Sequence, residues 1–418
     1  MNPKIYDVAV IGAGAAGLMA AITAARMGAH VILLEHMPQA AKKLLATGNG
    51  KCNYTNVDQK MEYYYCEDPD FMQTVFTQFS YADTIHFFEE LGIRPIQKNG
   101  TCIYPESEQA SSVRDVLLEE AARLEVTAAY SAGIREIHKI QNSQIFEILT
   151  KDKPVYSLSC ILAAGGKAAK KTGSDGSGYI YAKQLGHQLK APVPALTALT
   201  ADYNKWKLPA GVRTRCSATL LIDGQEAAFE QGELQITDYG ISGIVIFQFS
   251  RTAAYALSGQ RQVAVNLDFK PQMSQKELAS YLMERFQSRY QAHKTAGRCL
   301  IGFLPEKLIQ PMLRRAGIAI DQTGRNIQKQ SAQRLAALLK KYKIKITGTK
   351  GFDAAQVTAG GIPLHEIKTP TMESKIIPRL YFAGEIVDID AKCGGYNLQW
   401  AWSSGYAAGL HSCGGIAQ

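Results

Sequence analysis

The 418-residue sequence lacks paired cysteines, a metal-ligand pattern and any low-complexity stretch. Its eight cysteines are scattered, and no two of them form a Cys-x-x-Cys arrangement. This spacing argues against a disulfide scaffold, a structural zinc site and a dithiol redox centre. The eight histidines show no metal spacing, so no metal site is predicted. Cys52 and Cys393 are accordingly predicted to be structural and not redox-active.

Acidic residues are fewer than basic ones, 37 against 46, which leaves a net charge of +9. The basic residues are spread along the chain, and the densest cluster lies at residues 340–345. A solvated helix end is the simpler interpretation of this cluster. Binding of an anionic substrate, including a phosphorylated nicotinamide cofactor, is the functional one. No basic stripe alternates with aromatic residues, so no nucleic-acid partner is expected.

One apolar stretch, residues 8–25, approaches the length of a membrane span. An acid, Asp7, stands at its edge, few charges precede it, and glycine and alanine dominate it. A targeting segment would explain none of these glycines, whereas a nucleotide-binding turn explains all of them. We therefore expect a cytoplasmic protein without a membrane span or a membrane partner.

Residues 6–35 have the pattern of a dinucleotide-binding unit. A short apolar strand leads into Gly12-Ala13-Gly14-Ala15-Ala16-Gly17, then an Ala-rich helix, then a second strand ending in Glu35. Gly12 permits a tight turn, Gly14 lets the backbone approach a pyrophosphate, and Gly17 lets the helix pack on the strand. Free N–H groups at the helix start face the diphosphate, and Glu35 can accept hydrogen bonds from ribose hydroxyls.

Further along, residues 69–91 and 110–124 are predicted to be helical, and residues 159–166 form an apolar strand ending in glycines. Residues 196–267 have the alternating pattern and turn signals of antiparallel β structure. Helical patterns dominate residues 274–343. Residues 380–385 and 393–410 then return to a strand, a glycine-rich loop and a last helix, which suggests a split α/β domain carrying an insertion.

The strand, glycine-rich loop and helix of residues 380–410 indicate which dinucleotide is bound. A strand ending in Gly384-Glu385 can reach the middle of an extended cofactor, and the loop before Asn397 directs a helix N-terminus at what lies beyond. Amides near Asn397 and Leu398 would bind the pyrimidine edge of a flavin, and the helix dipole would stabilise negative charge on it. Classical NAD-dependent dehydrogenases lack such a return, so FAD is the predicted cofactor.

The sequence resembles the two-dinucleotide-binding-domain flavoproteins related to glutathione reductase. It is most similar to the subfamily of aminoacetone oxidase-like proteins and the bile-acid-dehydroxylation flavin reductase. The resemblance is carried by residues 12–17 with Glu35 and by residues 43–53, 236–243, 357–361, 384–385 and 394–399. It implies an α/β fold: a split Rossmann-like FAD-binding domain (1–191 and 351–418) with an inserted β-rich subdomain (192–272) and a helical subdomain (273–350).

The resemblance also implies which residues bind FAD, whereas no residue is named as catalytic. Tyr239 and Tyr396 could each donate a proton near a flavin-facing substrate, but packing is the favoured interpretation of each. The expected cofactor-binding residues are Gly12, Gly14, Ala15, Ala16, Gly17, Glu35, His36, Lys43, Thr47, Gly48, Asn49, Asn53, Ile134, Ala164, Gly165, Gly384, Glu385, Gly395, Asn397 and Leu398.

The leading functional hypothesis is an oxidoreductase in which NAD(P)H, as a transient donor, reduces FAD. The flavin then reduces an activated C=C bond of a small organic substrate, for which the resemblance suggests a 3-oxo bile acid. No second glycine triplet exists for NAD(P)H, which would have to meet the flavin directly. An oxygen-using oxidase of aminoacetone-type amines is the main alternative. A flavoprotein acting on tRNA, or a purely structural protein, is expected less.

Overall fold

Buried apolar side chains gather into two separate cores in the computed structural model, which describes residues 4–141, 143–202, 206 and 208–414. One core belongs to a unit made of Met1–Val193 and Gln356–Gln418, and the other to a unit inserted between them, Pro194–Ala355. The predicted α/β class with a Rossmann-like sheet is confirmed. The predicted division of the insertion into a β-rich and a helical subdomain stays a prediction.

The first unit is built on a mixed sheet whose strands were recognisable as short apolar runs. Its strands are β1 (Ile5–Ile11), β2 (Val31–Leu34), β7 (Thr127–Ala129), β8 (Glu136–Lys139), β9 (Phe146–Leu149), β10 (Val155–Leu162) and β19 (Leu380–Phe382). The order β7-β2-β1-β10-β19 is parallel throughout, and β9 and β8 extend the sheet antiparallel from the first half of β10. Parallel strands buried on both faces need continuous apolar sequence, as β2, β19 and the second half of β1 have, whereas the edge strand β7 is largely exposed.

Smaller ladders and six helices complete the first unit. The ladders are β3-β6-β5, β20-β4 and β11-β18, from β3 (Thr55–Asn56), β4 (Tyr64–Tyr65), β5 (Pro95–Lys98), β6 (Cys102–Pro105), β11 (Lys190–Ala195), β18 (Val357–Gly361) and β20 (Asp390–Ala391). The helices are α1 (Ala15–Arg26), α2 (Pro69–Gln78), α3 (Tyr81–Glu90), α4 (Ala110–Arg123), α5 (Ser177–Gln184) and α11 (Tyr396–Ser412).

The single helix predicted over residues 69–91 is in fact two, α2 and α3. The Ser80 hydroxyl accepts a hydrogen bond from the Asp83 amide at 3.3 Å, and the Asp83 carboxylate accepts one from the Ser80 amide at 2.8 Å. This reciprocal pair is a capping box, which starts a new helix at Tyr81. The apolar periodicity continues across the break, and the prediction therefore missed it.

Helix α11 packs on α1 in parallel and at very short range. A Cβ on Gly405 would lie 2.5 Å from the Ala16 carbonyl oxygen, and one on Gly409 would lie 2.5 Å from that of Ala20. Both contact positions advance by four residues in the same direction, so the two helices point the same way. Only glycine permits this approach of two backbones.

The inserted unit contains a closed antiparallel barrel in the order β12-β15-β14-β13-β16-β17. Its strands are β12 (Leu199–Ala201), β13 (Val212–Ile222), β14 (Gln225–Ile236), β15 (Gly240–Ser242), β16 (Val263–Asp268) and β17 (Tyr342–Thr349). Its helices include α6 (Ile244–Ser258), α7 (Gln275–Gln287), α8 (Ala296–Cys299), α9 (Glu306–Arg315) and α10 (Lys329–Lys340).

Two local predictions in this unit were wrong. The region expected to be β throughout contains helix α6, whose buried residues contact the barrel strands. The cluster at residues 340–345, interpreted as a solvated helix end, leaves α10 and continues as strand β17. In that strand Lys343 and Lys345 are exposed, while the alternating residues Tyr342, Ile344 and Ile346 are buried.

No helix among the described residues combines the length and the apolar character that crossing a bilayer requires.

A buried polar network lies at the end of α5. The His187 Nδ1 is 2.7 Å from Glu366 Oε2, and its Nε2 is 2.9 Å from Ser374 Oγ. That hydroxyl oxygen already accepts the amides of Ile376 and Ile377 at 3.0 and 2.8 Å. Both of its lone pairs are used, so its hydrogen must be donated to Nε2, and the ring is neutral. Burial also lowers the pKa of His187.

Stability should therefore fall in mild acid. Because the pKa of His187 is lower in the folded state than its ordinary value, the unfolded chain binds more protons below about pH 6.5. The free energy of unfolding should drop by up to about 1.4 kcal/mol per pH unit in this range from this group. Urea unfolding at about pH 7.5 and about pH 5.5 measures the drop. His187→Gln should show a smaller drop and exposed His86→Gln a wild-type one; an unchanged drop in His187→Gln would contradict the assignment.

Candidate dinucleotide site

Four strands of the parallel sheet end at the same edge, and the predicted binding residues follow them directly. Gly12 follows β1, Glu35 follows β2, Ala164 comes two residues after β10, and Gly384 comes two residues after β19. Ligands of open α/β sheets bind at the carboxyl ends of parallel strands. Residues separated by more than 300 positions in the sequence therefore share one surface.

The glycine turn after β1 is closed on one side and open on the other. Gly12 has φ +101°, and a Cβ there would lie 2.7 Å from the Ala163 carbonyl oxygen, so the turn rests on the end of β10. A Cβ on Gly17 would collide with the Gly12 carbonyl oxygen. At Gly14, by contrast, nothing lies within 4 Å of an added Cβ. Gly12 and Gly17 serve the fold, whereas Gly14 leaves space in front of the helix.

Glu35 is buried and supports the turn as well as the predicted ribose site. Its Oε2 accepts a hydrogen bond from the Ala13 amide at 2.8 Å, and its Oε1 accepts one from the Met37 amide at 2.7 Å. His36 Nδ1 lies 3.5 Å from Oε1. A carboxylate oxygen has a second lone pair, so Glu35 can still accept hydroxyl donors.

Ile134 lies close to Glu35 because residues 132–134 pass beside the end of β2. The Ala132 amide donates to the Glu35 carbonyl at 2.8 Å, which places residues 132–134 beside the tip of β2. The Ile134 carbonyl accepts a hydrogen bond from the Tyr181 hydroxyl at 2.9 Å. This is the position expected for the adenine end of a dinucleotide.

An ion pair joins the loop after β2 to the end of β19. Lys43 Nζ lies 2.6 Å from Glu385 Oε2, and the Thr358 amide donates to Glu385 Oε1 at 2.9 Å. The hydroxyl oxygen of Thr358 accepts the amides of Lys167 and Ala168 at 2.7 and 3.0 Å, which ties the segment after Gly165 to the same point. Lys43 and Glu385 were both predicted as binding residues, but their pairing and Thr358 were not.

The loop of residues 47–53 approaches the start of α11. Gly48, Asn49 and Cys52 have φ angles of +56°, +55° and +57°, so the loop is tightly turned. The Asn53 side-chain oxygen is buried and has no hydrogen-bond partner. It would lie 3.0 Å from a Cβ on Gly395. A buried acceptor without a donor indicates a partner that the protein itself does not supply.

Helix α11 is preceded by Gly395, which has φ +93° and no side chain to cap the helix. A Cβ there would lie 2.8 Å from the Thr55 carbonyl oxygen. The Asn397 side chain faces backward: it accepts the Ala391 amide and donates to the Ala391 carbonyl, both at 2.9 Å. Asn397 thus holds the loop before α11 in place, and the backbone amides of the first turn, including that of Leu398, remain for a ligand.

These features fit an extended dinucleotide. The N-cap residues of helices α1 and α11 are both glycines, Gly14 and Gly395, so neither helix has a side-chain cap. Gly405 of α11 packs on Ala16 of α1, so α11 starts eight residues before α1 does along their shared direction. At 1.5 Å per residue the offset is about 12 Å. A diphosphate at α1 would therefore leave the far end of the same molecule near the start of α11.

The thiols close to this site are not poised for redox chemistry. Cys52 is fully buried, and burial raises the pKa of its thiol to about 12. Burial likewise raises the pKa of Cys393. Both stay protonated at neutral pH, and a thiol, unlike a thiolate, is a poor nucleophile. Among the described residues no cluster of His, Cys, Asp or Glu could hold a metal ion.

Comparison with known proteins places the whole chain in a known group. The model of the HI0933-like protein Rossmann domain matches residues 6–411. A 3-dehydro-bile acid delta(4,6)-reductase of Clostridium scindens is 40% identical over 96% of this chain and 98% of that protein. A ribosomal RNA dihydrouridine synthase of Escherichia coli is 27% identical over 96% of each. The open flavocytochrome c3 fumarate reductase shares the fold, with a TM-score of 0.50 and 16% identity over 100% of this chain and 80% of that one.

Two glycine substitutions should separate folding from cofactor binding. Gly14→Ala adds a methyl group to open space, so the unfolding free energy of the flavin-free protein should change by less than about 1 kcal/mol. The same methyl group should block the diphosphate and weaken FAD binding at least about tenfold, a cost of about 1.4 kcal/mol. Gly12→Ala, at positive φ and against Ala163, should destabilise the fold by more than about 2 kcal/mol.

Urea unfolding and flavin absorbance after gel filtration measure the two effects separately. A Gly14→Ala protein that keeps one FAD per chain would show that the open space is not the diphosphate site.

Proposed function

The chain belongs to the HI0933-like family of Rossmann-domain proteins, and from that premise we propose that it reduces carbon–carbon double bonds conjugated to a carbonyl group. The family and the class of enzyme predicted from the sequence, an FAD-dependent oxidoreductase, are both confirmed. The observation that carries the proposal is the 40% identity, over nearly the full length of both chains, to a delta(4,6)-reductase of 3-dehydro-bile acids.

The residues at the sheet edge have separate tasks in this proposal. The first-turn amides of α1 would hold the diphosphate, and Lys43, paired with Glu385, would add a positive charge to the site. Glu385 would accept hydroxyl groups of the ribityl chain. Asn53 and the first turn of α11 would hold the pyrimidine edge of the flavin, where the helix dipole favours negative charge. Bound FAD supplies the hydride that a conjugated C=C bond accepts at its carbon distal to the carbonyl group.

We propose NAD(P)H as the electron donor. In the part of the chain that the structure describes, the inserted unit is an antiparallel barrel with helices and offers no second parallel βαβ unit. A nicotinamide cofactor would therefore bind transiently and leave before the substrate enters. In the alternative function, an amine donates electrons to the flavin and oxygen accepts them. That reaction requires neither NADH nor NADPH.

Anaerobic stopped-flow absorbance tests this proposal. NADH or NADPH should bleach the bound flavin, and a 3-oxo-4,6-diene bile acid added afterwards should restore the colour and gain two hydrogens by mass spectrometry. The saturated 3-oxo bile acid is the matched control and should restore nothing. Bleaching by aminoacetone, with no bleaching by either nicotinamide, would support the oxidase and overturn the reductase.

A second candidate substrate is a uracil ring in ribosomal RNA. The Escherichia coli relative, similar over 96% of both chains, is a ribosomal RNA dihydrouridine synthase. Dihydrouridine differs from uridine by two hydrogens across the C5–C6 bond, which is conjugated to the C4 carbonyl. The same type of bond is thus reduced in both relatives, and only the size of the substrate differs.

The dihydrouridine content of ribosomal RNA tests this candidate. If the chain acts on RNA, deletion of its gene should remove dihydrouridine at one or more ribosomal positions, as measured by nuclease digestion and mass spectrometry. The wild-type gene should restore it, and the Gly14→Ala variant should not. Unchanged dihydrouridine in the deletion strain would exclude ribosomal RNA and leave the small-molecule substrate.

A further inference from the structure

A second cavity, with a volume of about 280 Å³, lies at the carboxyl ends of α1 and α11. The two helices are parallel, so both of their C-termini lie at the end opposite to the candidate dinucleotide site. Helix α1 has 12 residues and spans about 18 Å, which is roughly the distance from the cavity to the first turn of α1. We call this cavity the helix-end groove; its walls include Thr23, Met27, Phe79, Phe87, Glu90 and Tyr406.

The charges around the helix-end groove favour a cation. The C-terminus of a helix carries a partial negative charge, and two helices end here. The charged walls are Arg26, Asp83 and Glu90, and Arg26 is shared between Glu90 at 3.4 Å and buried Glu120 at 2.9 Å. The last turn of α11 contains His411, but burial lowers the pKa of this ring and keeps it neutral. The acids of the groove therefore outnumber its one permanent cation.

Aromatic rings form the apolar part of the helix-end groove. Phe79 and Tyr406 stack with their ring centroids 4.7 Å apart, and Phe87 meets Phe79 edge to face at 6.1 Å. The Arg26 guanidinium already lies over the Phe87 ring, 5.0 Å from its centroid. The faces of aromatic rings attract cations, so these walls suit a ligand that joins a positive charge to an apolar body.

A buried hydroxyl in the wall lacks a partner within the protein. Thr23 of α1 is only 6% exposed and lines the groove. The hydroxyls of Thr74 and Thr84 donate to the carbonyls of Asp70 and Ser80 in the preceding turn, at 2.7 and 3.0 Å. The Thr23 hydroxyl makes no hydrogen bond with any residue that the structure describes. A polar group of this kind in a cavity wall indicates a ligand that supplies the missing partner.

We propose that the helix-end groove binds a small organic ammonium ion. The ammonium group would lie near Glu90 and donate to the Thr23 hydroxyl oxygen, while the apolar body would contact the rings of Phe79 and Tyr406. At about 30 Å³ for each water-sized group, the cavity holds about nine of them. The 2-phenylethylammonium ion, with a benzene ring and a two-carbon arm, has this size. The inference concerns a site remote from the flavin and holds whichever double bond the flavin reduces.

A saturation-transfer NMR titration of the FAD-loaded full-length protein with 2-phenylethylammonium tests the proposal. At about pH 8, where an ordinary histidine is uncharged, this ion should bind at least about threefold more tightly than the equally large alcohol 2-phenylethanol. The anion 3-phenylpropionate should bind more weakly than either. Glu90→Gln should weaken binding of the ammonium ion roughly 2- to 5-fold, as for a partly exposed ion pair, and leave the alcohol unchanged.

A matched acid elsewhere on the same unit separates the groove from general charge. Glu136 is 50% exposed and lies 2.8 Å from His138, much as Glu90 is 47% exposed and lies 3.3 Å from His86. Glu136→Gln should bind the ammonium ion like the wild type. An equal loss in Glu136→Gln and Glu90→Gln, or equal affinity of the wild type for the ion and the alcohol, would overturn the proposal.

Thr23→Val provides a second measurement with a stability control. Because no hydrogen bond within the protein is lost, its resistance to urea should match or exceed that of the wild type, whereas Thr84→Val should be less stable. Thr23→Val should also bind the ammonium ion roughly 2- to 10-fold more weakly. Unchanged binding, or a loss of stability equal to that of Thr84→Val, would show that the hydroxyl does not serve a ligand.

Flavin absorbance distinguishes the groove from the dinucleotide site. Saturating 2-phenylethylammonium should leave the spectrum of the bound flavin unchanged under nitrogen, and bleaching by NAD(P)H should be the same in Glu90→Gln and the wild type. A spectral shift that persists in Glu90→Gln would place the ion at the flavin and overturn the proposal.

Discussion

The parallel packing of α11 on α1 is the contact on which the site depends. Gly405 and Gly409 bring the two helix backbones together, and every added carbon there would meet a carbonyl oxygen of α1. The two helices run in the same direction with an offset of about 12 Å. Their uncapped N-termini are therefore separated by this distance along the shared helix direction. The N-terminus of α1 suits a diphosphate, and the N-terminus of α11 suits the anionic edge of a reduced flavin ring.

Residues near the carboxyl ends of the parallel strands contribute the rest of the site. Glu35 closes the glycine turn and marks the ribose end, while the pair of Lys43 and Glu385 connects two loops in the middle. Helices α2 and α3 of the same unit are capped by the side chains of Asp68 and Ser80. The uncapped starts of α1 and α11 leave donors that a ligand can use.

Local sequence patterns predicted much of the candidate site, but they did not predict the contacts between segments that are distant in the sequence. The turn at residues 12–17, the strand before Gly384 and the open start of α11 follow from short sequence signals, since each depends on neighbouring residues. Helix α6 was missed because its apolar residues also fit a buried strand. The pairing of α1 with α11 and the hydrogen bonds of Thr358 join segments far apart in the sequence, and no local pattern specifies them.

A crystal structure of the protein loaded with FAD tests the central claim most directly. The account predicts one extended molecule, with its diphosphate oxygens within hydrogen-bond distance of the first-turn amides of α1, beside Gly14. The flavin pyrimidine edge should lie against Asn53 and the first turn of α11. A flavin bound elsewhere, or bound with the start of α11 still facing solvent, would contradict the claim that the offset of these two helices builds the site.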